Sequence, residues 1–225
     1  MGIPVLILGK SGSGKSTSLR NFARDEILLV NVSKKPLPFR GRFDDLVLSD
    51  DYGDIARAFK RNKRKTVVID DAGYLITNMF MRGHSDKGAG NAIFAFYNDL
   101  ADRFWKMVEY TKTLPNDVVV YFLMHEEVSE LGEIKPKTIG KLLDEKVCIE
   151  GMFTVVLRCI TQEGKHYFKT ETDGHDVCKS PIGMFAETMI DNDLKAVDTA
   201  IREYWELDGT ENIKQQLEDI IDTED

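Results

Sequence analysis

Short apolar runs alternate with polar stretches rich in glycine or proline, a pattern that predicts buried strands alternating with amphipathic helices. Ile3-Pro4-Val5-Leu6-Ile7-Leu8 predicts a first strand. Residues 27–32 predict a second, β-branched and nearly continuous in apolar side chains, as a parallel strand covered on both faces should be. Residues 33–41 cannot be regular, because Pro36 and Pro38 remove ladder donors. A helix follows over about 52–62, with Asp50 or Asp51 able to cap it. Thr66-Val67-Val68-Ile69 is a short strand ending in Asp70-Asp71, and residues 81–90 read as a glycine-rich polar loop. Ile93, Phe96, Tyr97, Leu100, Phe104, Met107 and Val108 then recur at helical spacing, so their rings belong to a core and not to a base-stacking platform. Residues 118–124 form the next strand, ending at His125-Glu126-Glu127, with a lysine-bearing loop running to about Lys146. Two further β segments, 153–160 and 166–170, flank a turn and predict a hairpin; helical segments follow near 193–205 and 210–221.

This order predicts an α/β fold: a mainly parallel sheet covered by helices on both faces, with a late antiparallel hairpin and a helical, acidic C-terminal extension. The expected division is a core over 1–190 and an extension over 191–225.

The chemistry is concentrated where the first strand ends. Gly9-Lys10-Ser11-Gly12-Ser13-Gly14-Lys15-Ser16 matches the phosphate-binding pattern G-x-x-x-x-G-K-[ST] at every fixed position, and Thr17 continues into an expected helix. Glycines let backbone N–H groups curl around an anion, and a helix N-terminus adds partial positive charge. In that arrangement Lys15 reaches the β- and γ-phosphates and the Ser16 hydroxyl holds Mg²⁺. Asp70, after a buried strand downstream, is the expected second tether of the metal, through water, and Asp71 the group that positions or activates the attacking water. His125 ends the next strand, where a polar side chain can sense a γ-phosphate; Glu126 is a second candidate for activating water.

Composition narrows the setting. The formal net charge is −8, which argues against nonspecific coating of duplex DNA. Charge is nevertheless uneven: residues 57–65 are strongly basic, while residues 206–225 hold eight acids against Lys214 alone. Cys148, Cys159 and Cys178 fit neither a disulfide framework nor a zinc spacing. With no apolar run near the roughly 20 residues of a membrane span and no signal-peptide pattern, a cytoplasmic location without membrane association is expected.

With these motifs the chain resembles the RecA-like P-loop ATPases, most closely the short phage-encoded members that are little more than the ATPase core. The resemblance is carried by residues 9–16, the strand ends at Asp70-Asp71 and His125-Glu126, and the hairpin through Arg158 and Lys169; it covers about 1–190. It implies an ATPase using ATP and Mg²⁺ on single-stranded DNA in recombination, annealing or replication. It also implies a homo-oligomer, a single-strand-binding protein as partner, and host cytoplasm as the location. Arg82, His84, Lys87, Lys135, Lys137 and Lys141 lie in the two loops expected to face DNA. Lys169 and Lys179 are the candidates for a basic finger inserted at the γ-phosphate of a neighbouring subunit. The resemblance also implies a catalytic glutamate near the end of the second strand, where this chain has Asn31-Val32-Ser33. The alternatives are a nucleotide-gated, non-catalytic loader or adaptor and a nucleoside or nucleotide kinase, for which the lysines and glutamates after the long helix replace the usual arginine-rich lid.

Overall fold

The computed structural model describes residues 1–87, 90–129, 132–139 and 147–207. Its centre is the strand predicted first, β1 (Ile3–Gly9), hydrogen-bonded in parallel to β5 (Val119–Val128) on one side and β7 (Val155–Gln162) on the other. Outward from β5 come β4 (Thr66–Asp70), β2 (Ile27–Asn31) and the three-residue edge strand β3 (Asp45–Val47), all parallel. Outward from β7 come two antiparallel strands, β8 (Lys165–Lys169) and β9 (Met189–Asp191). A short β6 (Ile134–Pro136) folds back on the far end of β5. The predicted hairpin is β7–β8; β3, β6 and β9 are too short to have left a readable pattern.

Strand alternation makes two cores. One face takes Leu6, Leu8, Val30, Ile69, Val120 and Phe122 under three helices: α1 (Tyr52–Arg61), α2 (Gly73–Gly83) and α3 (Asn91–Thr111). The other face takes Val5, Ile7, Leu29, Val68, Tyr121 and Leu157 under α4 (Leu194–Tyr204) and the 3-10 helix Ser16–Asn21. Local chemistry starts the helices as expected: Asp51 caps α1, accepting from the N–H groups of Gly53 (2.8 Å) and Asp54 (3.0 Å). Asp193 does the same for α4 through Lys195 and Ala196.

The helix expected behind the phosphate loop is a six-residue 3-10 helix. Three expectations need correcting. Residues 81–87 are not a loop: Met81–Gly83 end α2 and His84–Lys87 form a 3-10 turn. The apolar side chains Leu75 and Ile76, one helical turn from Met79 and Phe80, extend a stripe that buries against α3, and the polar residues ride on its outer end. Part of the expected loop after β5 is β6, because β5 runs on to Val128 and gives it an edge to pair with. Finally, the boundary expected at residue 190 falls inside β9, and Leu194, Val197 and Ile201 of α4 are buried in the second core. The expected helix over 210–221 lies outside the described residues.

α4 is fixed by a buried polar cluster as well. Asp198 accepts from Arg202 Nε (2.7 Å), Tyr121 Oη (2.8 Å) and Thr66 Oγ1 (3.0 Å), and Arg202 also donates to the carbonyls of Lys65 and Asp117. Asp198 and Arg202 are both buried, so each is the other's compensation for leaving water.

Candidate nucleotide site

Parallel pairing brings the carboxyl ends of the strands to one level. Gly9 registers with His125 on one side and Cys159 on the other, and Asn31 registers with Asp70. After β1 the chain runs out to β2, and after β5 and β6 it crosses to β7 on the opposite flank of β1. β1 is therefore the point where strand order reverses, which is where open α/β sheets collect ligands. β4 is not β1's neighbour: β5 lies between them and places His125 between loop and acids.

The loop itself needs its glycines. Gly12 and Gly14 have φ of +77° and +102°. A Cβ on Gly14 would stand 3.0 Å from His166 Cγ and 3.1 Å from Asn192 Oδ1, so β8 and the residue after β9 press on the loop from behind. Neither contact is visible in the sequence motif. Lys15 is buried and donates to the carbonyls of Gly9 (2.8 Å) and Lys10 (2.9 Å). Burial pulls its pKa down, opposed by the nearby acids Asp71, Asp70 and Glu126. Cys159 lies beneath as a neutral thiol, its pKa pushed up to about 12 by burial.

Ser16 Oγ donates to Asp70 Oδ1 at 2.9 Å across the sheet, so the two expected metal groups meet. Burial and the neighbouring Asp71 charge raise Asp70 to about 6, against the hydrogen bond from Ser16 and the charge of Lys15. Asp71 is turned out of the strand by a φ of +59°, in the left-handed region that Asp tolerates better than most residues. His125 Nε2 lies 3.4 Å from its Oδ1 and Lys35 Nζ 3.4 Å from its Oδ2. Burial alone would raise this carboxyl; hydrogen bonds from His125 and Ser33 and the Lys35 charge outweigh it and hold the group well below the usual range.

Loop, acids and the segment after β2 enclose a cavity of ≈ 230 Å³ lined by Gly12, Lys15, Ser16, Asp70, Asp71 and His125, together with Asn31, Ser33 and Lys35. One buried polar atom on that lining, Asn31 Oδ1 at the end of β2, has no hydrogen-bond partner among the described residues. Cradle, lysine and hydroxyl–carboxylate pair fit a polyphosphate with a hard divalent ion, which takes most of its oxygens from phosphate and water. Among the described residues no cluster of three or more His, Cys, Asp or Glu could hold a metal by itself.

Other candidates fall elsewhere. Both oxygens of Glu126 accept from Arg158 (2.7 and 2.8 Å) and its side chain is 1% exposed, which withdraws it from activating water. Lys169 is held by Asp173 (2.9 Å) and Asp176 (2.8 Å), so it is an internal clamp and not an outward finger. Lys179 pairs through its backbone with Val156 in β7. Arg82 bonds Asp50 (2.6 Å), His84 stacks on Phe80, and Lys87 lies over the Phe96 ring, all at the far end of α2. Lys135 pairs with Glu127 (3.5 Å) on the β5–β6 hairpin, while Lys137 is exposed and its N–H donates to His125 O. Its carbonyl lies at the other end of α2, near Gly73, so the structure does not gather these residues into one basic groove. Lys141 lies outside the described residues. Sequence reasoning missed Lys35 and Ser33, hidden in a stretch whose only signal was two prolines; their position directly after a β-strand end was the available clue.

The profile of a family described as an AAA domain matches residues 1–181, and the chain belongs to this family. A search of curated proteins gives no match. The fold is thus that of an AAA-type P-loop protein, and family and loop together define a nucleotide-binding ATPase domain. Among the described residues no helix is long and apolar enough to cross a membrane.

Proposed function

We propose that this protein hydrolyses ATP with Mg²⁺ and couples the nucleotide state to single-stranded DNA. The observation that carries the first part is the meeting of the phosphate loop with Asp70 through Ser16, across the intervening strand β5. Gly12–Gly14 amides and Lys15 take the phosphates. Ser16 and Asp70 would hold the metal, which would supply charge stabilisation at the phosphoryl oxygens. Asp71, fixed as an anion between His125 and Lys35, orients the groups around the terminal phosphate. His125, on the strand that continues to β6, reports whether that phosphate is present. The DNA part rests on the RecA-like resemblance, with exposed Lys137, bonded through its N–H to the sensor strand, as its structural support. A role in phage recombination or annealing, with a single-strand-binding protein and self-assembly, belongs to the same reading.

Three observations favour a second reading, a nucleotide-gated adaptor with little turnover. Asn31 stands where the resemblance implies a glutamate, Glu126 is engaged by Arg158, and Asp71 is held as a weakly basic carboxylate. ATP hydrolysis by wild type and Lys15→Ala, each with and without single-stranded DNA, separates the readings. Lys15-dependent turnover stimulated by DNA is expected. Tight Mg·ATP binding without turnover selects the adaptor, and turnover indifferent to DNA at low salt removes the DNA part.

A further inference from the structure

We propose that Lys35 is the cation that meets the terminal phosphate of a bound triphosphate, supplied by this chain's own segment between β2 and β3 and not by a neighbouring subunit. The proposal rests on the reading of this site as a nucleotide site. Lys35 lines the same cavity as Gly12, Lys15 and Ser16, and among the described residues Lys15 is the one other lysine on that lining. Its backbone is anchored while its side chain is held by one solvent-exposed ion pair. Asn31 Nδ2 donates to Lys35 O at 2.7 Å, Lys34 turns the chain with a φ of +56°, and Pro36 and Pro38 stiffen the backbone beyond it. The side chain is 63% exposed, with Nζ 3.4 Å from Asp71 Oδ2 and 5.1 Å from the centroid of the Tyr74 ring.

An ion pair this exposed contributes little to stability. It does park a flexible ammonium at the mouth of the phosphate cavity, where a terminal phosphate of greater charge competes for it. Lysine suits that exchange, being a point charge on a mobile stem. Two other basic groups near the strand ends are committed elsewhere: Arg158 to Glu126, and Lys169 to Asp173 and Asp176. A diphosphate leaves Lys35 on Asp71, so the residue separates triphosphate from diphosphate.

The test is the ratio of ATP to ADP affinity with Mg²⁺, by calorimetry, for wild type, Lys35→Met and Lys35→Arg. Lys35→Met should lose roughly ten- to hundredfold in ATP affinity, the range of a charge-assisted hydrogen bond, with ADP affinity unchanged and Lys35→Arg in between. An unchanged ratio, whether both affinities hold or both fall together, overturns the proposal. Wild type binding neither nucleotide overturns the underlying reading instead. Mixing Lys35→Met with Lys15→Ala checks the own-chain assignment: recovery of turnover would mean that Lys35 acts across subunits and would overturn it.

Discussion

Gly12 and Gly14 belong to one motif, yet the structure gives them different tolerances for a methyl group. At Gly12, with φ +77°, a Cβ meets no heavy atom of the protein within 4 Å, so its own neighbours add nothing to the backbone penalty of alanine there. That penalty is about 1 kcal/mol for a left-handed residue, or roughly fivefold in the population of the loop's binding shape. At Gly14 the φ of +102° is less accessible still, and the Cβ meets His166 Cγ at 3.0 Å and Asn192 Oδ1 at 3.1 Å. Those neighbours cannot easily retreat. His166 Nδ1 is 3.0 Å from Thr161 Oγ1, Asn192 Nδ2 donates to Cys159 Sγ at 3.2 Å, and Asn192 O accepts from Arg20 at 2.5 Å. Adding the cost of overpacking brings Gly14→Ala to about 3 kcal/mol, or on the order of a hundredfold. Calorimetry with Mg·ATP measures both variants, and circular dichroism checks that each is folded. Equal losses at the two positions, or wild-type affinity in Gly14→Ala, would refute the claim that β8 and the turn after β9 shape the loop.

Two predictions concern the scaffold. Asp198→Ala leaves Arg202 buried without its carboxylate and should cost about 3–5 kcal/mol in urea unfolding; a loss below about 1 kcal/mol would show that the cluster does not fix α4. Asp50 accepts from Arg82 (2.6 Å), Asn78 (2.8 Å) and Lys34 (3.2 Å), and these bonds outweigh burial to hold its pKa below the ordinary 3.8. A carboxyl depressed in the folded state adds stability that is complete above its unfolded pKa and disappears as pH falls below it. Wild type should therefore lose stability more steeply than Asp50→Asn below about pH 4; parallel profiles of urea midpoint against pH would contradict this.

The alternation of apolar runs showed every strand long enough to bury a full row: β1, β2, β4, β5 and β7 were all legible, and so were the long stripe of α3 and the cap of α1. Strands β3 and β9, three residues each, owe their existence to a neighbour's open edge, and no local pattern encodes that. The phosphate loop was legible because its chemistry demands fixed residues at fixed spacing. Lys35, His166 and Asn192 answer to no spacing rule, since they reach the site from separate strand ends and each would suit a solvent-facing turn equally well. The loop expectation fails over residues 81–87 for a related reason: Gly83 punctuates the sequence, but Leu75 and Ile76 packing on α3 carries the helix on to Gly83.

Asp70 and Asp71 show how far position overrides residue type. Asp70 keeps the strand's direction, lies on the same face as Val68, and accepts from the Ser16 hydroxyl and the backbone N–H of Asp71, two neutral donors, so burial and its neighbour's charge raise it to about 6. One residue later, the φ of +59° swings Asp71 towards His125, Ser33 and Lys35, and the same chemical group is held as an anion. Environments that drive two acids apart assign them different work. A carboxylate whose charge is costly where it stands is one that a divalent cation relieves, which suits Asp70 to the metal. A carboxylate already satisfied by three donors gains little from a proton, which makes Asp71 a poor base and a good anchor. On the proposed reading, departure of Lys35 towards a terminal phosphate removes one of those donors and leaves His125 and Ser33 to hold Asp71 in place.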